Sequence, residues 1–150
     1  MKTVHILSDG FHSPNSRGLL YPLIVHRKTL AENGVTVKIY DRLKEGLPDC
    51  DFLIIDSKHF HGVHRGQIPY IQEKLGSLKQ HCNQISWYDS TDSAGWIAGE
   101  ILPLVDRYIK SQLLRDRNAY LQPMYGRRVY TDFYHHHNGI TDEKPDNNPQ

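Results

Sequence analysis

The sequence predicts an α/β fold in which helices flank an open parallel sheet, a Rossmann-like arrangement. Strand-like apolar runs alternate with segments of helical periodicity along most of the chain. One run, DFLIIDS at Asp51–Ser57, is almost continuously apolar, which is typical of a parallel strand covered by helices on both faces. The spacing of these segments suits right-handed crossovers, and 150 residues are enough for one domain with its own core.

The first half of the chain has the clearest alternation. Val4–Ser8 is predicted as a short apolar strand, and VTVKIY at residues 35–40 alternates as a strand with one better-buried face does. The amphipathic segment between them predicts a helix with Pro22 in its first turn and Gly34 just past its end. Its buried face carries Leu19, Leu20, Leu23, Ile24, Leu30 and Ala31.

The pattern continues beyond the central strand. A helix is predicted from about Pro69, with Ile71, Leu75 and Leu78 on one face. The short apolar run QISWY at residues 84–88 predicts a fourth strand. We expect a further helix from about Ser93 to Leu102, ended by the proline that follows.

The last third of the chain is less regular. LVDRYI at residues 104–109 predicts a fifth strand, and LLRDRNAYL at residues 113–121 predicts a short helix. From Gln122 onward the sequence is rich in tyrosine, histidine and turn-forming residues, and no element is predicted there. We assign residues 1–143 to the Rossmann-like domain and residues 144–150 to a polar, linker-like tail.

Composition restricts the classes of partner. Lys and Arg number 18 against 17 Asp and Glu, so the net charge of +1 does not indicate a nucleic-acid-binding protein. The chain has no apolar run of the roughly 18 residues that span a membrane, and its N-terminus turns polar too early for a signal peptide, so we expect a cytoplasmic protein. Cys50 and Cys82 lack metal-type spacing; buried thiols are expected, with a disulfide as the alternative.

Polar residues follow each predicted strand. In open α/β sheets, ligands bind beyond the carboxyl ends of the strands, where the strand order reverses. The segment Ile6–Leu20 contains neither G-x-G-x-x-G nor a phosphate loop ending in Gly-Lys-Ser/Thr, so a nucleotide phosphate site is not expected there. The predicted functional edge carries Asp9, His12, Asp56, His59, His61, His64, Asp89 and Asp92.

The loop after the first strand holds the leading candidates. Asp9 and His12 are suited to act as a general base and its orienting partner. Ser13, Asn15 and the backbone near Gly18 offer hydrogen bonds to a polyhydroxylated ligand. In the alternative interpretation, Asp9, Ser13 and Asn15 form only turn and helix-cap hydrogen bonds.

Two further clusters admit both functional and structural interpretations. Asp89 and Asp92, after the fourth strand, suit a catalytic pair or a cation site, but capping of the next helix accounts for at least one of them. His59, His61 and His64 give three zinc-type ligands with no evident fourth, and residues 135–137 add three more histidines. Solvated histidines are the simpler interpretation, and no metal is expected.

Basic and aromatic residues are interleaved near the C-terminus. This mixture suits a pyrophosphate, an acidic sugar polymer or an anionic membrane surface. A solvated face paired with Asp106 and Asp116 is the alternative. The residues concerned are Lys110, Arg115, Arg117, Arg127 and Arg128, with Tyr120, Tyr125 and Tyr130.

An ordered set of segments resembles a known family. These are SDGFHSPNSRGLLYPL, LPDCDFLIIDSKHF, WYDSTDSAGW, LPLVDRYIKSQLLRDRNAYL and GRRVYTDFYHHHNGITDE. Together, over about Lys2 to Glu143, they resemble the N-terminal half of bacterial GT-B glycosyltransferases of capsule and exopolysaccharide biosynthesis. The resemblance implies a GT-B N-terminal-domain fold on the acceptor side, with the nucleotide-sugar donor bound by a separate domain or subunit. It implies no cofactor bound by this chain.

Site roles follow from the resemblance. It implies a base or acceptor-binding residue at Asp9 and His12, and others near Asp89 and Asp92. The acceptor it implies is a saccharide or sugar-lipid. We assign binding of this acceptor to Ser13, Asn15, Gly18 and His59. Without its donor-binding partner the chain is expected to be inactive.

Two other classes of protein remain open. A flavodoxin-like or receiver-like signalling module would use Asp9, Asp56 and Lys110, although only one acidic residue follows the first strand. A non-catalytic interaction domain is the other alternative. Exposed apolar surface beside the C-terminal tail would favour it.

Overall fold

The computed structural model describes residues 1–43, 47–60, 68–92, 94–95, 97–122 and 129–140. Within them the strands are β1 (Lys2–Leu7), β2 (Val35–Tyr40), β3 (Cys50–Asp56), β4 (Cys82–Asp89) and β5 (Arg107–Lys110). The α-helices are α1 (Pro14–Val25), α2 (Arg27–Glu32), α3 (Ile68–Leu78) and α4 (Val129–Asn138). Short 3₁₀ helices cover Ser57–Phe60, Gly99–Leu104 and Arg117–Leu121.

The strands form one open parallel sheet, as predicted. Its order is β2-β1-β3-β4-β5, and each neighbouring pair is parallel. The chain moves outward from β1 to β2 and then crosses to the other side of β1 to form β3. The strand order therefore reverses between β1 and β3, and the loops that leave these two strands diverge.

Two apolar clusters cover the two faces of the sheet. On one face, Ile6, Leu20 and Val37 form a small buried cluster beneath α1 and α2. On the other face, a larger cluster includes Leu53 and Ile55 of the central strand. It also contains side chains of α3 and of the 3₁₀ helix at Gly99–Leu104. Burial on both faces explains why β3 is almost continuously apolar.

The first helix begins earlier than predicted. Ser13 caps α1 by accepting a hydrogen bond at Oγ from the Ser16 N–H at 2.9 Å, and Pro14 occupies the first turn. Pro22 therefore lies inside α1 and not in its first turn. The chain breaks at His26 and continues as α2, and Gly34 follows with a φ of 77°, as expected for a residue past a helix end.

The second half differs more from prediction. The α-helix expected over residues 93–102 is absent from the described part of that range, where Gly99–Leu104 forms a 3₁₀ helix around Pro103. The helix expected over residues 113–121 is likewise reduced to a 3₁₀ turn capped by Asp116. Helix α4 lies where no element was predicted. None of the described helices is long and apolar enough to cross a membrane.

His5 is a buried polar residue in the centre of the sheet. It is 1% exposed, and neither ring nitrogen has a hydrogen-bond partner among the described residues. Its ring packs edge-on against Tyr40, with the centroids 5.1 Å apart. Burial, followed by the nearby Lys38 charge, lowers the pKa of His5 below its usual range. The imidazole is therefore neutral in the folded protein at neutral pH.

We predict that His5 makes the fold sensitive to mild acid. The pKa of His5 is lower in the folded chain than in the unfolded chain. The neutral imidazole therefore makes its full contribution to the free energy of unfolding above about pH 6.5, and this contribution is lost as the pH falls through the pKa of the folded state. His5→Phe should unfold at the same or higher urea concentration at pH 7.5, and it should lose less stability between pH 7.5 and 5.5. Chemical denaturation followed by tryptophan fluorescence measures both quantities. The exposed-site control is His12→Phe. The prediction is wrong if the stability of His5→Phe depends on pH in the same way as that of the wild type and of this control.

Candidate functional site

The candidate site lies at the carboxyl end of the sheet, where the strand order reverses. Three segments meet there: the loop from β1 into α1, the turn after β3, and the loop after β4. The side-chain amide of Asn15 in α1 donates hydrogen bonds to the Ser90 carbonyl at 2.5 Å and to Asp92 Oδ1 at 2.8 Å. The segments predicted from β1 and β4 therefore lie side by side.

Asp56 forms the centre of this region. It is the last residue of β3, it is completely buried, and each carboxylate oxygen accepts more than one hydrogen bond. Ser8 and Ser16 donate to Oδ2 at 2.8 and 2.5 Å, while Ser90 Oγ and the Lys58 N–H donate to Oδ1 at 2.8 and 3.1 Å. We call Asp56 and its three serine donors the Asp56 cluster.

The Asp56 cluster joins four parts of the fold. Its serines come from the end of β1, the first turn of α1 and the end of β4. Because a buried carboxylate needs donors in place of water, these hydroxyls stabilise Asp56 and are themselves oriented by it. The cluster is therefore a structural connection beneath the loops, and its carboxylate is not open to a ligand.

His59 lies above the Asp56 cluster and is only partly buried. Its Nδ1 is 3.3 Å from the Ser8 carbonyl oxygen, which can only accept a hydrogen bond. Nδ1 therefore carries the proton, and Nε2 carries the lone pair. Burial lowers the pKa of His59, although the Ser8 carbonyl and the Asp56, Asp9 and Asp41 carboxylates oppose this. A neutral imidazole in this tautomer is suited to accept a proton at Nε2.

The other predicted residues of the first loop have different positions. Asp9 is partly buried and contributes to the electrostatic environment of His59, whereas His12 is exposed. Ser13 caps α1, and its hydroxyl also donates to Ser16 Oγ at 2.8 Å, as the structural alternative predicted. Gly18 lies in the second turn of α1, where helical hydrogen bonding uses the backbone N–H groups.

Asp89 is buried in an ion pair. Its Oδ2 accepts hydrogen bonds from Lys110 Nζ at 3.0 Å and from the Tyr108 hydroxyl at 2.6 Å. Its Oδ1 accepts from the backbone N–H and hydroxyl of Thr91. The side chains of Lys110 and Asp89 are 1% and 0% exposed. Asp92, by contrast, is exposed.

The Tyr108 phenol stays protonated inside this ion pair. Burial and the Asp89 carboxylate raise its pKa above the usual range. Its oxygen also accepts a hydrogen bond from the Ala98 N–H at 2.9 Å. The Asp89 ion pair therefore holds the end of β4 against β5 and the 3₁₀ segment. It leaves Asp89 with no free oxygen for chemistry.

One residue of the predicted basic patch is buried. Lys110 is buried against Asp89 and does not belong to the surface. Arg115 and Arg117 are exposed, and the Arg117 guanidinium donates to the Leu114 carbonyl at 2.6 Å. Arg127, Arg128 and Tyr125 lie outside the described residues, as does the side chain of Tyr130.

The predicted histidine clusters are only partly described. His61 and His64 lie outside the described residues, while residues 135–137 belong to α4. Within the described part of the chain, no group of three or more His, Cys, Asp or Glu side chains is arranged to hold a metal ion.

Several important residues were not singled out from the sequence. Ser8, Ser16 and Ser90 surround Asp56, while Tyr108 pairs with Asp89. Serines at strand ends are common in turns and caps, so their type alone carries little information. The available signal was that Ser8 and Ser90 lie at or just after the ends of predicted strands, whereas Ser16 lies in a helix and gave no such signal.

Comparison with protein-family models, with curated proteins and with solved structures finds no match to this chain.

We predict that the Asp89 ion pair is essential for stability. Lys110→Met leaves a buried, uncompensated carboxylate and should lower the free energy of unfolding by about 3–5 kcal/mol. Asp89→Asn combined with Lys110→Met should recover part of this loss. Urea denaturation at pH 7 measures both effects.

The exposed pair of Lys28 and Glu32 supplies a matched control for this prediction. Their charged atoms are 3.9 Å apart at helical i,i+4 spacing, and both side chains are largely exposed. Lys28→Met should change stability very little. Equal losses for Lys28→Met and Lys110→Met would contradict the role given to burial.

Proposed function

We propose that this chain is the acceptor-side half of a glycosyltransferase that acts in surface polysaccharide synthesis. It would bind a saccharide or sugar-lipid acceptor, while a donor-binding domain or subunit supplies a nucleotide-sugar. The observation that carries the proposal is a neutral histidine with a directed lone pair, at the reversal point of an open parallel sheet. The ordered segments that resemble GT-B N-terminal halves support the same function.

The geometry favours His59 as the base. In the proposed reaction, an acceptor hydroxyl attacks the anomeric carbon of the donor while its proton passes to His59 Nε2. The bond from that carbon to the nucleoside diphosphate breaks, and the diphosphate leaves with the electron pair. The Ser8 carbonyl holds the proton on Nδ1 and so keeps Nε2 available, while the negative charge of Asp9 favours the imidazolium that forms.

The other candidates take supporting roles in this proposal. Asn15 and Asp92 bridge the β1 and β4 loops and would form one wall of the acceptor crevice. His12 is exposed in the segment between β1 and α1 and is available to contact an acceptor. Asp89 acts through the loop that it holds and is a positioning residue. The exposed Arg115 and Arg117 remain available for contact with an anionic membrane surface.

The strand order also favours a second candidate function. The order 2-1-3-4-5 is shared by flavodoxin-like and receiver-like proteins. Asp56 and Lys110 lie at the ends of β3 and β5, as in the alternative drawn from the sequence. However, Asp56 is fully buried beneath serine donors, and the ammonium group of Lys110 is paired with Asp89. Phosphorylation of Asp56 by acetyl phosphate would favour this candidate over a transferase.

We predict that His59→Gln abolishes most sugar transfer. The chain would be combined with donor-binding domains encoded by neighbouring genes, radiolabelled nucleotide-sugars and extracted lipid-linked acceptors. Loss of a general base should reduce the rate by about 10²–10⁴-fold. The wild-type rate should fall as the pH drops below 6.5 through the lowered pKa of His59. The exposed His26→Gln is the matched control and should retain full activity.

Two results would contradict this proposal. One is the absence of transfer with every partner and acceptor combination. The other is an unchanged rate for His59→Gln in an active combination. Nitrogen chemical shifts of His59 test the tautomer without any partner, and they should report a protonated Nδ1 at pH 7.

A further inference from the structure

Two cysteines lie in contact at the amino end of the sheet, whereas the candidate site lies at its carboxyl end. Cys50 begins β3 and Cys82 begins β4, and the two residues are directly paired in the parallel register. Both thiols are free, and their sulfur atoms are 3.2 Å apart. No part of the proposed transfer reaction uses them.

The backbone around this pair meets the requirements of a disulfide. Neighbouring strands lie about 4.8 Å apart, and disulfides join Cα atoms that are about 4.4–6.8 Å apart. Both side chains pack against the same apolar cluster, so they project from the same face of the sheet. A bond between the two sulfurs would therefore need only a small change of side-chain rotamer.

A small reagent has access to the pair. An open cavity of about 400 Å³ is lined by both cysteines and by polar residues that include Asp49, Lys79 and His81. Cys82 is partly exposed, whereas Cys50 is 8% exposed. Cys82 is therefore the thiol that meets an oxidant first, and Cys50 is placed to resolve the product.

We propose that Cys50 and Cys82 form a redox modification site that a low-molecular-weight disulfide, such as glutathione disulfide, converts reversibly into an intramolecular disulfide. The Cys82 thiolate attacks one sulfur of the reagent, which forms a mixed disulfide and releases one thiol. The Cys50 thiolate then attacks Cys82 Sγ, which forms the Sγ–Sγ bond and releases the second thiol. The protein loses two protons and two electrons, and the reagent is reduced to two thiols.

The electrostatic environment sets the conditions for this reaction. Burial raises the pKa of both thiols, that of Cys82 to about 12. The thiols are therefore protonated at neutral pH, and oxidation should be slow there and faster at higher pH. The pair responds to sustained oxidation and not to brief exposure.

Closure of this bond would restrict the unfolded chain over the segment that contains His59. The cross-link would join residues 50 and 82, and the chain between them includes β3, the 3₁₀ helix at Ser57–Phe60 and α3. A disulfide that closes a loop of this length stabilises the folded state by restricting the unfolded chain. Oxidation should therefore raise the free energy of unfolding without altering the groups at the candidate site.

The test exposes the full chain to glutathione buffers, from excess reduced to excess oxidised, at pH 8.5. Mass spectrometry of alkylated peptides should find Cys50 linked to Cys82, and dithiothreitol should reverse the linkage. The oxidised protein should melt about 5–15 °C higher than the reduced protein. Cys50→Ser and Cys82→Ser should show no such oxidation-dependent shift.

Three outcomes would overturn the proposal. These are thiols that stay reduced in excess oxidised glutathione, a mixed disulfide that persists on Cys82, and a linked form that melts no higher than the reduced protein. Peptide mapping of the wild-type chain decides the first two even if a serine variant fails to fold. None of these outcomes depends on glycosyl transfer.

Discussion

A buried carboxylate at the end of the central strand is the constraint on which the candidate site depends. Asp56 is removed from water and accepts hydrogen bonds from three serine hydroxyls and one backbone N–H. These donors come from β1, α1, β4 and the turn after β3, so one charge connects four segments. An unpaired buried carboxylate would be very costly, and the loops are therefore held in the arrangement that supplies its donors.

Asp89, at the end of β4, is a second buried carboxylate whose hydrogen bonds hold neighbouring segments together. Lys110, Tyr108 and Thr91 satisfy the carboxylate and fix the end of β4 against β5. Both aspartates were attractive as reactive groups in the sequence, yet both are fully satisfied inside the protein. In the proposed function the base is instead His59, whose Nδ1 lies 3.3 Å from the Ser8 carbonyl oxygen.

The two ends of the parallel sheet have different character. The carboxyl end gathers serines, aspartates and His59 from diverging loops, as expected where the strand order reverses. The amino end brings together two thiols because β3 and β4 begin in register. The same strand pairing thus brings polar side chains together at one end and two cysteines into contact at the other, with the apolar core between them.

The sequence by itself determined the fold class and four central features of the architecture. Strand β3 was evident from its continuous apolar run, β2 from its alternation, α3 from its periodicity and Gly34 from its position past a helix end, since each signal is local. Weak local signals gave wrong predictions elsewhere. Helix α1 begins at Pro14 because of the Ser13 cap, and α4 was not anticipated. The described residues between 94 and 102 do not form the expected α-helix. Only the tertiary structure decided the burial, the hydrogen-bond partners and the tautomer of the polar residues. Whether Asp56 and Asp89 are exposed or buried, which hydroxyls reach them and which tautomer His59 adopts depend on strand order and register. Those contacts join residues 19 to 51 positions apart in the chain, and no local pattern encodes them.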